Sequence, residues 1–412
     1  MILISHPTGN QNLRQVLRTL REGGLLNSFH TTIGLAEDQT PPLPGKLGRA
    51  FEKRRYSVSK EQLHTSPWRE LVRTLLINHQ GNPLVRHESG PCSVDGVYHA
   101  LDRKLAGYLS KHHGALTAVY GYEDGCKEHF HIARRLGVKT LYELPIAFGP
   151  YAQEVLREEA VRWPEWEPTL ISTRDSAQKM KRKREELDLA DVIIVPGSFV
   201  ENSIPKSLRE GKPVWRLPYG IETPEATLPQ RESGAPLRFL YAGALTQRKG
   251  LADLFAAWKL ARLESAELHV LGSPLMPLIF YQEQCLDAIF HQPRPRDEVL
   301  AMMDCCDVLV LPSLIEGRAL VQLEAIGRGL PLLITPNTGG EDLIREGETG
   351  WIVPIRDAEA LADRLQWFSE HRARLPQMRE ACLAMAQTKS WAAYRSKLAQ
   401  ALQTLSLSNE DG

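Results

Sequence analysis

No run of apolar residues in this 412-residue chain approaches the roughly 20 that a membrane-crossing helix needs. The opening MILISHPTGN lacks a basic n-region, and its apolar run is too short for a secretory signal. Neither sign of charge is in excess: 50 lysines and arginines meet 50 aspartates and glutamates, which argues against a nucleic-acid binder acting through bulk charge. The six cysteines show neither C-x2-C spacing nor a zinc pattern. They read as reduced thiols of a cytoplasmic protein, with adjacent Cys305-Cys306 as helix-end packing. There is no G-x-G-x-x-G fingerprint, no D-x-D triplet to gather a divalent metal, and no internal repeat beyond two similar halves.

What remains is the composition of a soluble globular protein long enough for two or three domains. Short apolar runs alternate with amphipathic or charged stretches, the pattern of a doubly wound parallel sheet. In the first half, strands are expected over residues 1–5, 115–122, 139–143, 191–195 and 213–218. The first runs into a turn, His6 to Asn10, in which Gly9 suits close approach of a ligand to the backbone. The second runs into Glu123-Asp124, and carboxylates at the C-terminal end of a parallel strand stand where α/β folds place ligand contacts. Between Lys46 and Arg73, eight cations face only Glu52, Glu61 and Glu70. This stretch reads either as a solvated helix face or as a surface for an anionic acceptor or membrane headgroups. Proline, glutamate and glycine gather between Glu222 and Arg238, the best interdomain linker in the chain. A second strand set is expected over residues 239–242, 266–271, 288–291, 307–311, 332–335 and 351–354.

The most informative stretch runs from 307 to 331. An apolar run ending at Pro312-Ser313 reads as a buried parallel strand. Residues 319–326 are almost all apolar and read as a buried helix, stopped by Gly327, Gly329 and Pro331. Glu324 is the odd residue, because that helix has no wide polar face to put it on. A buried carboxylate is costly unless it receives hydrogen bonds. A ligand with paired hydroxyls would supply them; the bland alternative is an arginine such as Arg328. Glu316, eight residues earlier, stands where the helix N-terminus begins, beside backbone N–H groups suited to phosphate. Its bland alternative is simply to favour the helix dipole.

In order along the second half come Arg248-Lys249-Gly250, an Arg-Asp-Glu-Val helix start at Arg296, Leu311-Pro312-Ser313, Glu316-Gly317, Glu324-Ala325, Gly329-Leu330-Pro331, a Gly-Glu-Thr-Gly turn at Gly347 and Ser390-Trp391. This series, with two glutamates eight apart, resembles family 4 retaining glycosyltransferases, whose fold is two facing Rossmann-like domains (GT-B). The resemblance implies an α/β chain in three parts. Residues 1–225 would be a Rossmann-like acceptor-binding domain and 236–388 the nucleotide-sugar-binding domain. Residues 389–412 would be a helix crossing back to the first domain, with a frayed tail.

By the same resemblance, Arg248 and Lys249 would be cations for a donor diphosphate, and Glu316 would face the donor sugar. Gly317, Arg318, Ala319 and Leu320 would offer backbone N–H groups, and Glu324 would hold the ribose hydroxyls. Gly9, Asn10, Gly243 and His291 would complete the donor contacts. A diphosphate leaving group needs positive charge and oriented dipoles, and without a metal the protein must supply both. No metal or other cofactor is expected. The partners implied are a nucleotide-sugar donor and a glycan or lipid-linked acceptor. A cytoplasmic location, with peripheral membrane contact through Lys46 to Arg73, would suit them. Two departures stand out: Ala244 replaces an arginine common in relatives, and Leu144-Pro145 stand where relatives often carry a histidine near the acceptor. His6, Glu123 and Asp124 are the acceptor-side substitutes by position. The rival readings are an epimerase or phosphorylase on the same fold and a nucleotide-sugar-binding protein without turnover.

Overall fold

The computed structural model describes all residues except 43–44, 77–78, 80, 223–233 and 408–412. The linker expected between Glu222 and Arg238 falls largely outside the described residues, as does the end of the polar tail.

Two parallel sheets form the frame. The first contains β1 (Ile2–Ser5), β2 (Leu26–Thr31), β3 (Leu63–Thr65), β4 (Ala118–Tyr122), β5 (Lys139–Glu143), β6 (Val192–Val195) and β7 (Val214–Arg216), in the order β3-β2-β1-β4-β5-β6-β7. The second contains β8 (Leu237–Ala242), β9 (Ala266–Leu271), β10 (Ala288–His291), β11 (Val308–Leu311), β12 (Leu332–Ile334) and β13 (Gly350–Ile352), in the order β10-β9-β8-β11-β12-β13. The central strands are buried throughout, as in β6 (Val-Ile-Ile-Val) and β11 (Val-Leu-Val-Leu), because helices cover both faces of a parallel sheet. This is the GT-B arrangement of two Rossmann-like sheets.

The expected strands correspond to β1 and β4 to β13, within a few residues at their ends. The elements that the sequence pattern does not announce include two strands and one helix that bear on the site. β2 reads Leu-Asn-Ser-Phe-His-Thr, a strand whose buried positions include Ser28, His30 and Thr31. β3 has only three residues. The helix Gly149–Arg162 links the first half to the second and shapes the site described below.

The chain crosses between the halves twice, along one line. Ile221, leaving the first half, pairs in parallel with Ser390, returning to it. Gly220 makes this contact possible, since a Cβ there would lie 2.3 Å from the Trp391 nitrogen. The helix Trp391–Leu407 then packs on Gln11–Glu22, with Tyr394, Leu398 and Leu402 buried and Arg395 bonded to Gln15 at 2.7 Å.

Candidate active site

Parallel strands leave their loops at the C-terminal edge, and here those edges meet. The loop after β11 carries Glu316, and the helix Leu320–Gly327 begins four residues later. Glu316 therefore sits in the loop and not on the helix start where the sequence placed it. Its backbone accepts from Ala147 of the first half at 3.2 Å. Beside it, Gly317 faces Pro145: a Cβ would stand 1.7 Å from that carbonyl, so only glycine permits the contact.

Glu316 is buried, and two cations hold its carboxylate. Lys249 Nζ lies 2.6 Å from Oε1 and Arg248 3.1 Å from the same atom. Burial alone would raise the Glu316 carboxyl, but Lys249 and Arg248 outweigh it and hold the group below the usual carboxylate range. Arg248 also donates to the Ile315 carbonyl at 2.7 Å, while Leu314 N–H donates to the Arg248 carbonyl at 2.9 Å. The two loops are thus laced together through one residue. Gly243, expected as a donor contact, serves Lys249: a Cβ there would lie 2.9 Å from Lys249 Cδ. Gly250 has a φ of 72°, and a Cβ would stand 2.0 Å from the Pro312 carbonyl. Ala244, where relatives often carry arginine, has its carbonyl held by Tyr241 at 2.7 Å.

The helix Leu320–Gly327 has Ala319 as its N-cap, with no side chain satisfying the first-turn N–H groups, and Leu320 is exposed. That end is open to an anion. Arg318 behaves differently from its neighbours. Its side chain is buried, donating to the Gly339 carbonyl at 2.8 Å and to Asp342 at 2.6 Å. Glu324 also departs from expectation. It is half-buried and paired with Arg296 at 2.7 Å, and Arg296 also reaches Glu222 at 2.8 Å. The carboxylate thus has an arginine partner, though not Arg328, which pairs with Asp304. Arg296, on the preceding helix, covers that carboxylate in part.

His291 does not join this group. It stacks on His269 at 5.2 Å, bonded at 3.0 Å, beside a cavity of about 360 Å³ under the helix Arg296–Asp304. His6, Gly9 and Asn10 form a separate turn after β1. His6 Nδ1 accepts from the Gly9 N–H at 2.9 Å, Asn10 caps the first helix by accepting from the Leu13 N–H, and Gly9 leaves room for Tyr56. Burial lowers the His6 imidazole to about 4, so it is neutral near pH 7. Glu123 and Asp124 face Lys183 at 3.0 and 2.8 Å. Burial pushes Glu123 up and Lys183 pulls against it; the same carboxylates hold the buried Lys183 above its usual value. These two acids are thus an internal ion cluster, fed by a helix that the sequence presents only as a charged run.

The sequence reading missed what holds the cation loop. Glu159, fully buried on the helix Gly149–Arg162, accepts from Gln247 at 2.7 Å, Arg162 at 3.0 Å and Arg356 at 2.7 Å. Thr246 donates to the Thr169 carbonyl at 2.7 Å. The basic stretch is partly spent internally. Arg54 and Arg73 both pair with buried Glu70, and Arg55 binds Glu52 and three backbone carbonyls. Arg49, Lys53 and Lys60 remain exposed, as does Trp68. Of the side chain of Lys46 nothing is described.

Two Rossmann-like halves thus meet at a buried glutamate held by two cations before an open helix end, a two-sheet α/β architecture. Comparison with known proteins is more specific. Residues 228–387 match the family described as glycosyl transferases group 1. The chain is 32% identical over 189 residues to the putative colanic acid biosynthesis glycosyltransferase WcaL of Salmonella typhimurium, covering 42% of this chain and 46% of that protein. It is 29% identical over 204 residues to the amylovoran biosynthesis glycosyltransferase AmsK of Erwinia amylovora, covering 45% and 49%. The alignments therefore span about half the length of these relatives. Among solved structures, the sucrose-phosphate synthase of Thermosynechococcus elongatus matches with a TM-score of 0.67 at 17% identity, over 99% of each chain. Anabaena HepE, solved with UDP, matches at 0.60 and 12%, over 98% of this chain and 99% of its own. These likenesses establish the fold.

Proposed function

We propose that this protein transfers a sugar from a nucleoside diphosphate sugar to a glycan or lipid-linked acceptor, with retention and without a metal. The observation that carries the reading is the group Arg248, Lys249 and Glu316 beside the uncapped helix at Leu320. A departing diphosphate develops negative charge, and two cations with oriented N–H groups are placed to stabilise it. The donor phosphates enter next to the ion pair and share its cations, while Glu316 faces the sugar. On the same face, the departing phosphate oxygen helps remove the acceptor proton, leaving the protein to position and to stabilise charge. Glu324 takes the ribose hydroxyls, exchanging part of its bond to Arg296. The cytoplasmic face of a membrane suits the reaction. There Trp68, 79% exposed on the helix Trp68–Leu76, and the exposed cations Arg49, Lys53 and Lys60 meet anionic headgroups.

The test is consumption of UDP-, GDP- and ADP-sugars by the purified protein, with and without acceptor glycans and with a chelator present. Acceptor-dependent release of nucleoside diphosphate is expected. Rearrangement of the sugar without acceptor would replace transfer by epimerisation, and loss of activity restored by magnesium or manganese would overturn the metal-free mechanism.

A further inference from the structure

Behind the loop that carries Glu316, where the two chain crossings meet, lies a cavity of about 100 Å³ lined by Tyr219, Arg318, Asp342, Lys389, Tyr394 and Lys397, among others. Three of these residues are cations and one is a carboxylate. Asp342 is already engaged twice, by Arg318 at 2.6 Å and by Lys389 at 2.7 Å. Lys397 has no ion-pair partner among the described residues and is exposed at the rim. One donor is buried without a hydrogen-bond partner: Nε of Arg318, whose side chain is 1% exposed. The Tyr394 hydroxyl is turned to Asn12 and Glu143, and its ring only walls the cavity. An unmet donor on a buried guanidinium is costly, and together with surplus positive charge it calls for a ligand that accepts and is negative. Water would satisfy the donor but leave the charge. The space admits a group the size of one phosphate and excludes a nucleoside.

We propose that this cavity is a binding site for a small oxyanion, with inorganic phosphate as its chemical class, distinct from the donor site on the other side of the same loop. Arg318 offers Nε and Lys397 its ammonium, the charge-assisted bonds that a phosphate oxygen accepts best. The bound anion joins the Arg318 loop of the second half to the returning helix Trp391–Leu407 and, through Tyr219, to the outgoing crossing. It therefore ties the two crossings to the loop of the second half. The proposal does not depend on the reaction assigned above.

The experiment measures inorganic phosphate binding to the full chain, by calorimetry and by melting temperature, against sodium chloride at equal ionic strength. Lys397→Glu alters the cavity; Lys249→Ala alters only the donor site. Saturable binding with a raised melting temperature is expected in the natural sequence and in Lys249→Ala. A loss of affinity of roughly tenfold or more is expected in Lys397→Glu, the scale of one charge-assisted bond. Absence of saturable binding would show that the cavity holds only water. Binding lost in Lys249→Ala but intact in Lys397→Glu would place the phosphate in the donor site and overturn the proposal.

Discussion

Replacing Lys249 with alanine isolates the cation that the site depends on most. Its ammonium is 2.6 Å from Glu316 and both side chains are 11% exposed, so the contact is weakly screened. A preorganised group facing developing charge contributes about 2.7–4 kcal/mol to the transition state. Arg248 stays 3.1 Å from the same carboxylate and compensates in part, so the lower figure, a roughly 100-fold fall in kcat, is expected. The fold should lose less than the 3–5 kcal/mol of a broken buried pair, because Glu316 keeps one partner. Acid adds a second signature. The Glu316 carboxyl is held below its unfolded value, so its stabilisation is present above that value and is lost as pH falls through the folded one. Lys249→Ala has less of this to lose, so the two melting temperatures should converge as pH falls through the folded value. The assays are release of nucleoside diphosphate with acceptor present, donor binding by calorimetry, and melting from pH 3 to 8. A folded variant with near wild-type kcat would refute the assignment of Lys249 to the diphosphate.

Glu324→Gln should cost at most about 1 kcal/mol of stability, because its partner Arg296 is 47% exposed, while donor KM rises more than kcat falls; early melting with unchanged nucleotide affinity would give Glu324 a structural role only. Burial raises Glu143 to about 7, although Asn12, Tyr120 and Tyr219 donate to it. A raised acid favours the fold while protonated, so stability should fall by about 3 kcal/mol as pH rises from 4 to 8, and Glu143→Gln should flatten that slope in a melting series. Gly317→Ala should part the two loops, since its Cβ would meet the Pro145 carbonyl at 1.7 Å; turnover should drop at least tenfold with a melting temperature near that of the natural sequence. Liposome co-sedimentation should show binding to anionic lipid that weakens with salt and falls on Trp68→Ser.

Much of the frame was legible because central parallel strands must be apolar on both faces; β6 and β11 announce themselves for that reason. β2 did not, because Ser28, His30 and Thr31 are buried through hydrogen bonds and ring stacking, which hydropathy does not encode. Arg248, Lys249 and Glu316 could be singled out by residue type and order, yet their meeting at one oxygen is a long-range fact. Glu159 and Gln247 were invisible for the same reason: 88 residues separate them, and nothing local marks either. Apolar neighbours in sequence imply a buried Glu324 in need of a ligand. Its partner is instead Arg296, 28 residues earlier, which no local pattern marks. The run from Lys179 to Asp191 reads only as a charged helix, but Lys183 and Glu186 are buried against the loop after β4.

The paired crossings at Ile221 and Ser390 also govern how this chain could be recombined. A chimera exchanging the first half for that of a relative, cut once near residue 222, would leave the helix Trp391–Leu407 facing a foreign surface in place of Gln11–Glu22. Tyr394, Leu398 and Leu402 would lose their matched seat. The exchangeable module is therefore discontinuous, comprising the first 222 residues together with those from 389 onward. Grafts that move both segments together should fold, whereas grafts that move the first alone should expose an apolar helix and aggregate.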